Sequence, residues 1–303
     1  MNSARSAVQK DSKMNIATFV GLHIPKCAGT SFLEMAQSAL PPDRVYQNTS
    51  IIKNWNQRNP EFLDILDHKR LRLLWGHHIH EQMLYFFDRP ILFTGLRDPV
   101  DRLKSAVRYQ IALSGKQGRE QPDVQALLAK MQNPICWFII RRFPTLSRSN
   151  SNLTPFGKAR TALTAFHHVY FTENFEESAN SMLMAMGINT PILETNVSKL
   201  PDIDFDIDRR LVEHDLELYD WAEEHFGPRK FDSDINMPSS LAEFLRSRPN
   251  LPLLESFLFQ AQANEYADWG KIDEVIDAKL AEAERTLREI QRYRIKARDD
   301  SAY

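Results

Sequence analysis

The chain has 303 residues, 43% of them hydrophobic, enough length and apolar content for a full α/β core. Lys and Arg number 38 against 40 Asp and Glu, a formal net charge of -2, so no global field would hold a nucleic acid or a membrane surface and any anion site must be local. The two cysteines, Cys27 and Cys136, argue against a disulfide framework and fit a reducing cytoplasm.

The segment from Met1 to Lys13 is polar, and the apolar run from Ile16 to Ile24 is short and interrupted by His23. Neither a signal peptide nor a membrane anchor is expected there. Thr18 to Ile24 reads as a buried strand stopped by Pro25. A turn over Lys26 to Ser31 follows. Phe32, Met35, Ala36, Ala39 and Leu40 then recur at helical spacing until Pro41 and Pro42 end the helix.

Leu71 to Trp75 and Pro90 to Leu96 are further apolar runs expected as core strands. Asp98 and Pro99 form an N-cap and first-turn pair, and Val100, Leu103, Ala106, Val107 and Ile111 continue the helix. Val169 to Thr172 is expected as a fourth strand, followed by a helix over Phe175 to Met186, and Pro191 to Val197 as a short fifth strand. Helical patterns also cover Val124 to Met131, Ile135 to Arg142, Arg209 to Phe226 and Ala263 towards Arg298.

Strands alternating with helices imply an α/β fold with a doubly wound parallel sheet flanked by helices. Residues 14–230 are expected to form the catalytic domain and 231–303 a helical extension packed on it. In that extension Ile276, Leu280, Ala283, Leu287 and Ile290 make a seam that fits packing on the same domain or, alternatively, a homo-oligomer.

The string His23-Ile24-Pro25-Lys26-Cys27-Ala28-Gly29-Thr30-Ser31-Phe32 carries the most chemistry. It follows a strand and opens a helix, where unpaired backbone N–H groups and the positive end of the helix dipole suit a phosphate. Gly29 permits close approach, Thr30 and Ser31 add hydroxyls, and the ammonium of Lys26 can neutralise charge on a leaving group. The order differs from the nucleotide-kinase loop G-x-x-x-x-G-K-[ST], in which the lysine directly precedes the hydroxyl residue. The plain alternative is an ordinary strand-to-helix turn with a solvated lysine.

Arg97 ends its strand at the sheet edge where ligands bind, and Asp98, Arg102, Ser105 and Tyr109 are spaced to share one helical face. An arginine fork with a hydroxyl suits a phosphate monoester. A capped helix with a salt-bridged arginine is the alternative there.

HIPKCAGTSF resembles the 5′-phosphosulfate-binding loop, and TGLRDPVDRLKSAVRY the 3′-phosphate-binding segment, of the carbohydrate sulfotransferases typified by heparan sulfate 2-O-sulfotransferase. YFTENFEES, NVSKLP and HDLELYDWAEEHF are similar to more distal parts of that family, so the resemblance runs from about Thr18 to Phe226. It implies a P-loop nucleotide-kinase-like fold and metal-free sulfuryl transfer from 3′-phosphoadenosine 5′-phosphosulfate (PAPS) to a hydroxyl acceptor, plausibly a glycan. By the same resemblance the loop Lys26, Cys27, Ala28, Gly29, Thr30 and Ser31 holds the 5′-phosphosulfate, and Arg97 and Ser105 the 3′-phosphate. Asn196 and Ser198 lie in a segment that contacts the nucleotide in that family, while Glu173 is structural.

A base is needed to take the acceptor proton. Trp75-Gly76-His77-His78-Ile79-His80-Glu81 offers three histidines. The family's Gly-His step maps to His77, but the family has a histidine where this chain has Trp75, so His78, His80 and Glu81 stay open as alternatives. A hydrogen-bonded structural histidine or a zinc cluster is the competing reading, and the spacing is not a recognised zinc pattern. Two further function classes compete: a magnesium-dependent nucleotide kinase, for which Asp98 is the candidate metal carboxylate, and a noncatalytic nucleotide-binding protein.

Overall fold

The computed structural model describes residues 17–48, 71–87, 89–147, 153–189, 200–201, 203–227 and 236–247. Its centre is a five-stranded, all-parallel sheet formed by β1 (Thr18–Leu22), β2 (Val45–Asn48), β3 (Leu73–Gly76), β4 (Pro90–Leu96) and β5 (His168–Phe171), in the order β2-β3-β1-β4-β5. β1 is central, pairing Val20 with Leu74 on one side and with Leu92 on the other.

Each inner strand is apolar on both faces, as expected of a sheet covered on both sides. Phe19, Leu73, Trp75, Ile91, Phe93 and Tyr170 point to one face, where α1 (Gly29–Ala39) packs with Phe32, Leu33, Met35 and Ala36. Val20, Leu22, Leu74, Leu92, Leu96, Val169 and Phe171 point to the other. Burying each large side chain of this kind stabilises the fold by roughly 1.5–3 kcal/mol.

Among the described residues the remaining α-helices are α2 (Pro99–Lys116), α3 (Val124–Leu128), α4 (Pro134–Arg142), α5 (Pro155–Leu163), α6 (Phe175–Ala185), α7 (Glu213–Phe226) and α8 (Ser239–Arg246). α6 joins α1 on the first face through Ala179, Met182 and Leu183, whereas α4, α5, α7 and α8 cover the second. The expected α/β sheet with helices on both faces is therefore present.

Several local expectations change. β2 was not anticipated, because its sequence Val-Tyr-Gln-Asn has no apolar run; it lies at the sheet edge with Gln47 exposed, so nothing selects for one. α5 was also missed. Gly157 inside it weakens the helical signal, although Thr154 caps it by accepting the Gly157 N–H at 3.2 Å. α1 begins at Gly29, two residues before the expected start, and Ala39 is exposed while Leu33 is buried. α8 was not expected either, and Arg209–Val212 is a 3-10 turn leading into α7. The expected strand over 191–197, Asn196, Ser198, the 263–298 helix and its seam lie outside the described residues.

Because every strand is parallel, all five end at one edge. The register aligns Leu22 with Gly76 and with Thr94, and Leu96 with Phe171. The residues that follow, His23, His77, Arg97 and Thr172, therefore emerge side by side, flanking the strand whose neighbours lead in opposite directions.

Candidate active site

β1 passes into a turn over residues 23–28 whose backbone is unusual. Lys26 (φ 71°) and Ala28 (φ 52°) are both left-handed without being glycine. Such a conformation costs about 1–2 kcal/mol per residue, so the surroundings must hold it. They do: Arg102 Nε donates to the Pro25 carbonyl at 3.1 Å, the Tyr170 hydroxyl donates to the Cys27 carbonyl at 3.2 Å, and His23 N donates to the Gly76 carbonyl at 2.9 Å.

α1 opens directly from this turn. Its N-cap, Ala28, supplies no side-chain cap, and among the described residues the backbone N–H groups of Gly29, Thr30 and Ser31 find no acceptor. Three open donors and the positive end of the helix dipole thus face the same space.

Around that space stand three cations. Lys26 extends its Nζ over the Tyr109 ring, 4.6 Å from the centroid. Its pKa is lowered from the usual lysine value by burial, and further by the guanidinium groups of Arg97 and Arg102. Arg97, carried at the end of β4, makes no hydrogen bond or ion pair among the described residues. Arg102 is buried on the first turns of α2. Asp215 acts on Arg102 from the protein side, but no carboxylate among the described residues acts on Lys26, and its crowding by the two guanidinium groups favours an anion in the cleft.

Nearby acidic groups are engaged elsewhere. Asp98 caps α2, its Oδ1 accepting the Asp101 N–H at 2.9 Å. Glu173 accepts from the Asp98 N–H and from the Tyr219 hydroxyl, both at 2.8 Å, in the structural role the sequence suggested. Asp215 is buried and caps α4, accepting the N–H groups of Ile135 at 2.9 Å and Cys136 at 2.8 Å.

His77 is brought into the cleft wall by the turn after β3. Its Nδ1 lies 2.6 Å from the His23 carbonyl oxygen. A carbonyl can only accept, so the proton sits on Nδ1 and Nε2 keeps its lone pair. Burial lowers the His77 pKa, His78 and Arg142 add to the lowering, and the bond to the His23 carbonyl opposes it. The turn itself is tied down where Arg142 Nε donates to the His77 carbonyl at 2.7 Å. A neutral imidazole with an open Nε2 can accept a proton at neutral pH.

Lys26, Ala28, Gly29, Thr30, Ser31, His77, Arg97 and Ser105 line one cleft of about 660 Å³. Among the described residues expected at the anion site, only Cys27 does not line it; its thiol is buried, 3.9 Å from the Pro25 carbonyl, and burial pushes its pKa up to about 12. Of the four candidate bases, His77 lines the cleft and His78, His80 and Glu81 do not. Glu81 is instead buried beneath the 144–147 turn, its carboxylate accepting the N–H groups of Thr145 and Leu146.

The structure adds His23, Arg102, Tyr109 and Thr172 to the cleft wall. Arg102 and Tyr109 were visible in sequence as sharing a helical face with Ser105. Thr172 carried no signal, and the place of His23 depends on ring packing that spacing does not encode.

Among the described residues no three His, Cys, Asp or Glu side chains gather as metal ligands do, and no helix is long and apolar enough to cross a membrane. A scan against protein-family models finds no match for this sequence, and a search of the curated proteins finds none either.

Proposed function

We propose that the chain is a sulfotransferase that moves a sulfuryl group from PAPS to an acceptor hydroxyl, plausibly on a carbohydrate. The observation that carries this reading is the pairing, in one cleft, of Lys26 on an anion-ready loop with His77, whose Nδ1 is engaged by the His23 carbonyl so that Nε2 is the acceptor nitrogen of the neutral ring. A cation is placed to receive leaving-group charge and a base to receive a proton, the two demands of in-line sulfuryl transfer.

In this reading the open N–H groups of Gly29, Thr30 and Ser31 cradle the 5′-phosphosulfate, and Arg97 with Ser105 grips the 3′-phosphate. Arg102 adds charge from beneath the loop. The acceptor oxygen forms a bond to sulfur while its proton passes to His77 Nε2. The bond from sulfur to the bridging phosphate oxygen breaks, and its electron pair stays on adenosine 3′,5′-bisphosphate beside the Lys26 ammonium. The nucleotide-kinase-like fold assignment, the division into a 14–230 catalytic domain and a 231–303 extension, and a cytoplasmic setting belong to the same proposal. The central position of β1 and the loop that follows it support the first of these.

A magnesium-dependent kinase would need a carboxylate in the cleft, and Asp98, the candidate for it, spends its Oδ1 on capping α2. A noncatalytic nucleotide-binding protein would share the anion loop but has no use for an imidazole acceptor nitrogen in the same cleft. The test is transfer of label from PAPS to a panel of glycans, lipids and small alcohols, with H77A as control. Label on an acceptor that disappears in H77A supports the reading; no transfer to any acceptor, with the bisphosphate still bound, favours the noncatalytic one.

A further inference from the structure

The cleft contains a second imidazole that the transfer chemistry leaves unused. His23 lies against His77 with ring centroids 4.0 Å apart and planes inclined by 23°. On its other contacts it meets the buried Trp75 ring, 5.3 Å away and inclined by 24°, and the backbone of Gly29. A Cβ at residue 29 would lie 2.1 Å from His23 Cδ2, so this ring and the glycine of the anion loop occupy adjoining space with no room between them.

We propose that His23 is a positioning residue for His77: its carbonyl sets the proton on Nδ1, and its ring fixes the plane in which Nε2 meets the acceptor. The assignment of the reaction rests on the sulfuryl-transfer reading; the positioning itself does not.

Residue 23 holds His77 twice, once through the backbone and once through the side chain. A hydrogen bond alone leaves an imidazole free to swing about the axis of that bond. A flat face pressed on it removes this freedom, provided the face itself cannot move. Trp75 and Gly29 supply that condition, because a ring confined between an indole and a backbone has one position.

The charge state of His23 fits the role. Burial, then the neighbouring His77 and Lys26, lowers its pKa to about 3, so it stays neutral wherever the enzyme works. A cation there would oppose the imidazolium that forms when His77 takes the acceptor proton, whereas a neutral ring offers its π-face to that charge. The titratable and charged groups that act on His77 are His23, His78 and Arg142, and those that act on His23 are His77 and Lys26.

The experiment compares H23A and H23F in the full chain, using PAPS with whichever acceptor the wild type sulfates, and follows histidine ring nitrogens by 15N NMR, with H77Q to assign His77. In H23A kcat is expected to fall about tenfold or more, with donor KM changed less than about threefold. Its acid limb in the pH profile should rise towards the ordinary histidine midpoint, since water then reaches His77. H23F should recover most of the lost kcat and keep the wild-type acid limb, because it retains the face and the burial. A fold-wide effect would reduce the active fraction without moving that limb.

Wild-type kcat and acid limb in H23A overturn the proposal, and so does an H23F as impaired as H23A. The NMR arm separates the two levels. If no acceptor is sulfated, but the His77 ring nitrogens titrate at higher pH in H23A than in the wild type and in H23F, the transfer reading fails and the positioning stands. If sulfation proceeds and the His77 spectrum is identical in wild type and H23A, the positioning fails and the transfer reading stands.

Discussion

The ammonium of Lys26 rests on the face of Tyr109, 4.6 Å from the ring centroid, although two guanidinium groups press on it and no carboxylate of the cleft attracts it. A ring face is a weak partner for a cation at a partly exposed site, on the order of 0.5–1 kcal/mol. A phosphate oxygen would displace it readily. Lys26 is thus held in reach of an anion without being committed to one.

From this follows the first prediction. K26A removes the charge that receives the leaving group, so turnover at saturating PAPS should fall by about a hundredfold or more. Single-turnover kinetics isolates the chemical step, and near-normal turnover in K26A would show that the assigned mechanism is wrong.

Arg97 acts at a distance from the reacting sulfur in the proposed mode, so its loss should appear as binding. R97A should raise the donor KM by about tenfold or more while leaving saturated turnover within about threefold of wild type. Thermal denaturation provides a second measure: adenosine 3′,5′-bisphosphate should raise the wild-type midpoint without magnesium and raise that of R97A much less. An equal shift in both proteins would remove Arg97 from the site.

The parts of the site legible in sequence are those that local rules control. The loop after β1, Arg97 at the end of β4 and Ser105 on α2 each follow from a strand run, a turn signal and helical spacing within about a dozen residues of one another. The choice among His77, His78, His80 and Glu81 was not legible. It depends on the parallel register that puts Gly76 beside Leu22, and on a bond between residues 54 apart in the chain. β2 escaped for the opposite reason: an exposed edge strand obeys weak local rules, and pairing with β3 decides its conformation.

Gly29 and His23 permit a test of the packing itself. G29A puts a methyl group where the His23 ring lies, and that ring is backed by Trp75 and His77. Overpacking of this kind should destabilise the fold by about 1–3 kcal/mol. In H23A the obstructing ring is absent, and an alanine near a helix start is then neutral or slightly favourable. The two substitutions should therefore couple by about 1 kcal/mol or more in a double-mutant cycle read from urea midpoints. Additive effects would mean that the two residues do not share that space.

Glu81 gives a pH prediction with a definite sign. Its side chain is fully buried and accepts N–H bonds from Thr145 at 2.9 and 3.0 Å and from Leu146 at 3.1 Å. Burial raises its pKa from 4.5 to about 7, while those bonds favour the carboxylate and pull the other way. The folded-state value lies above the unfolded one, so the folded chain binds the proton more tightly. The stability this contributes is fully present below the unfolded pKa of 4.5, declines as pH rises and is lost above about 7. Within that window the slope contributed by one group reaches at most about 1.4 kcal/mol per pH unit. E81Q carries no titrating proton, so subtracting its unfolding free energy from that of the wild type cancels the contribution of other groups. The difference should favour the wild type most at the acid end and shrink as pH approaches neutrality. Urea unfolding of both proteins at intervals across the window measures it, and a difference independent of pH would show that Glu81 keeps an ordinary carboxylate pKa in the folded chain.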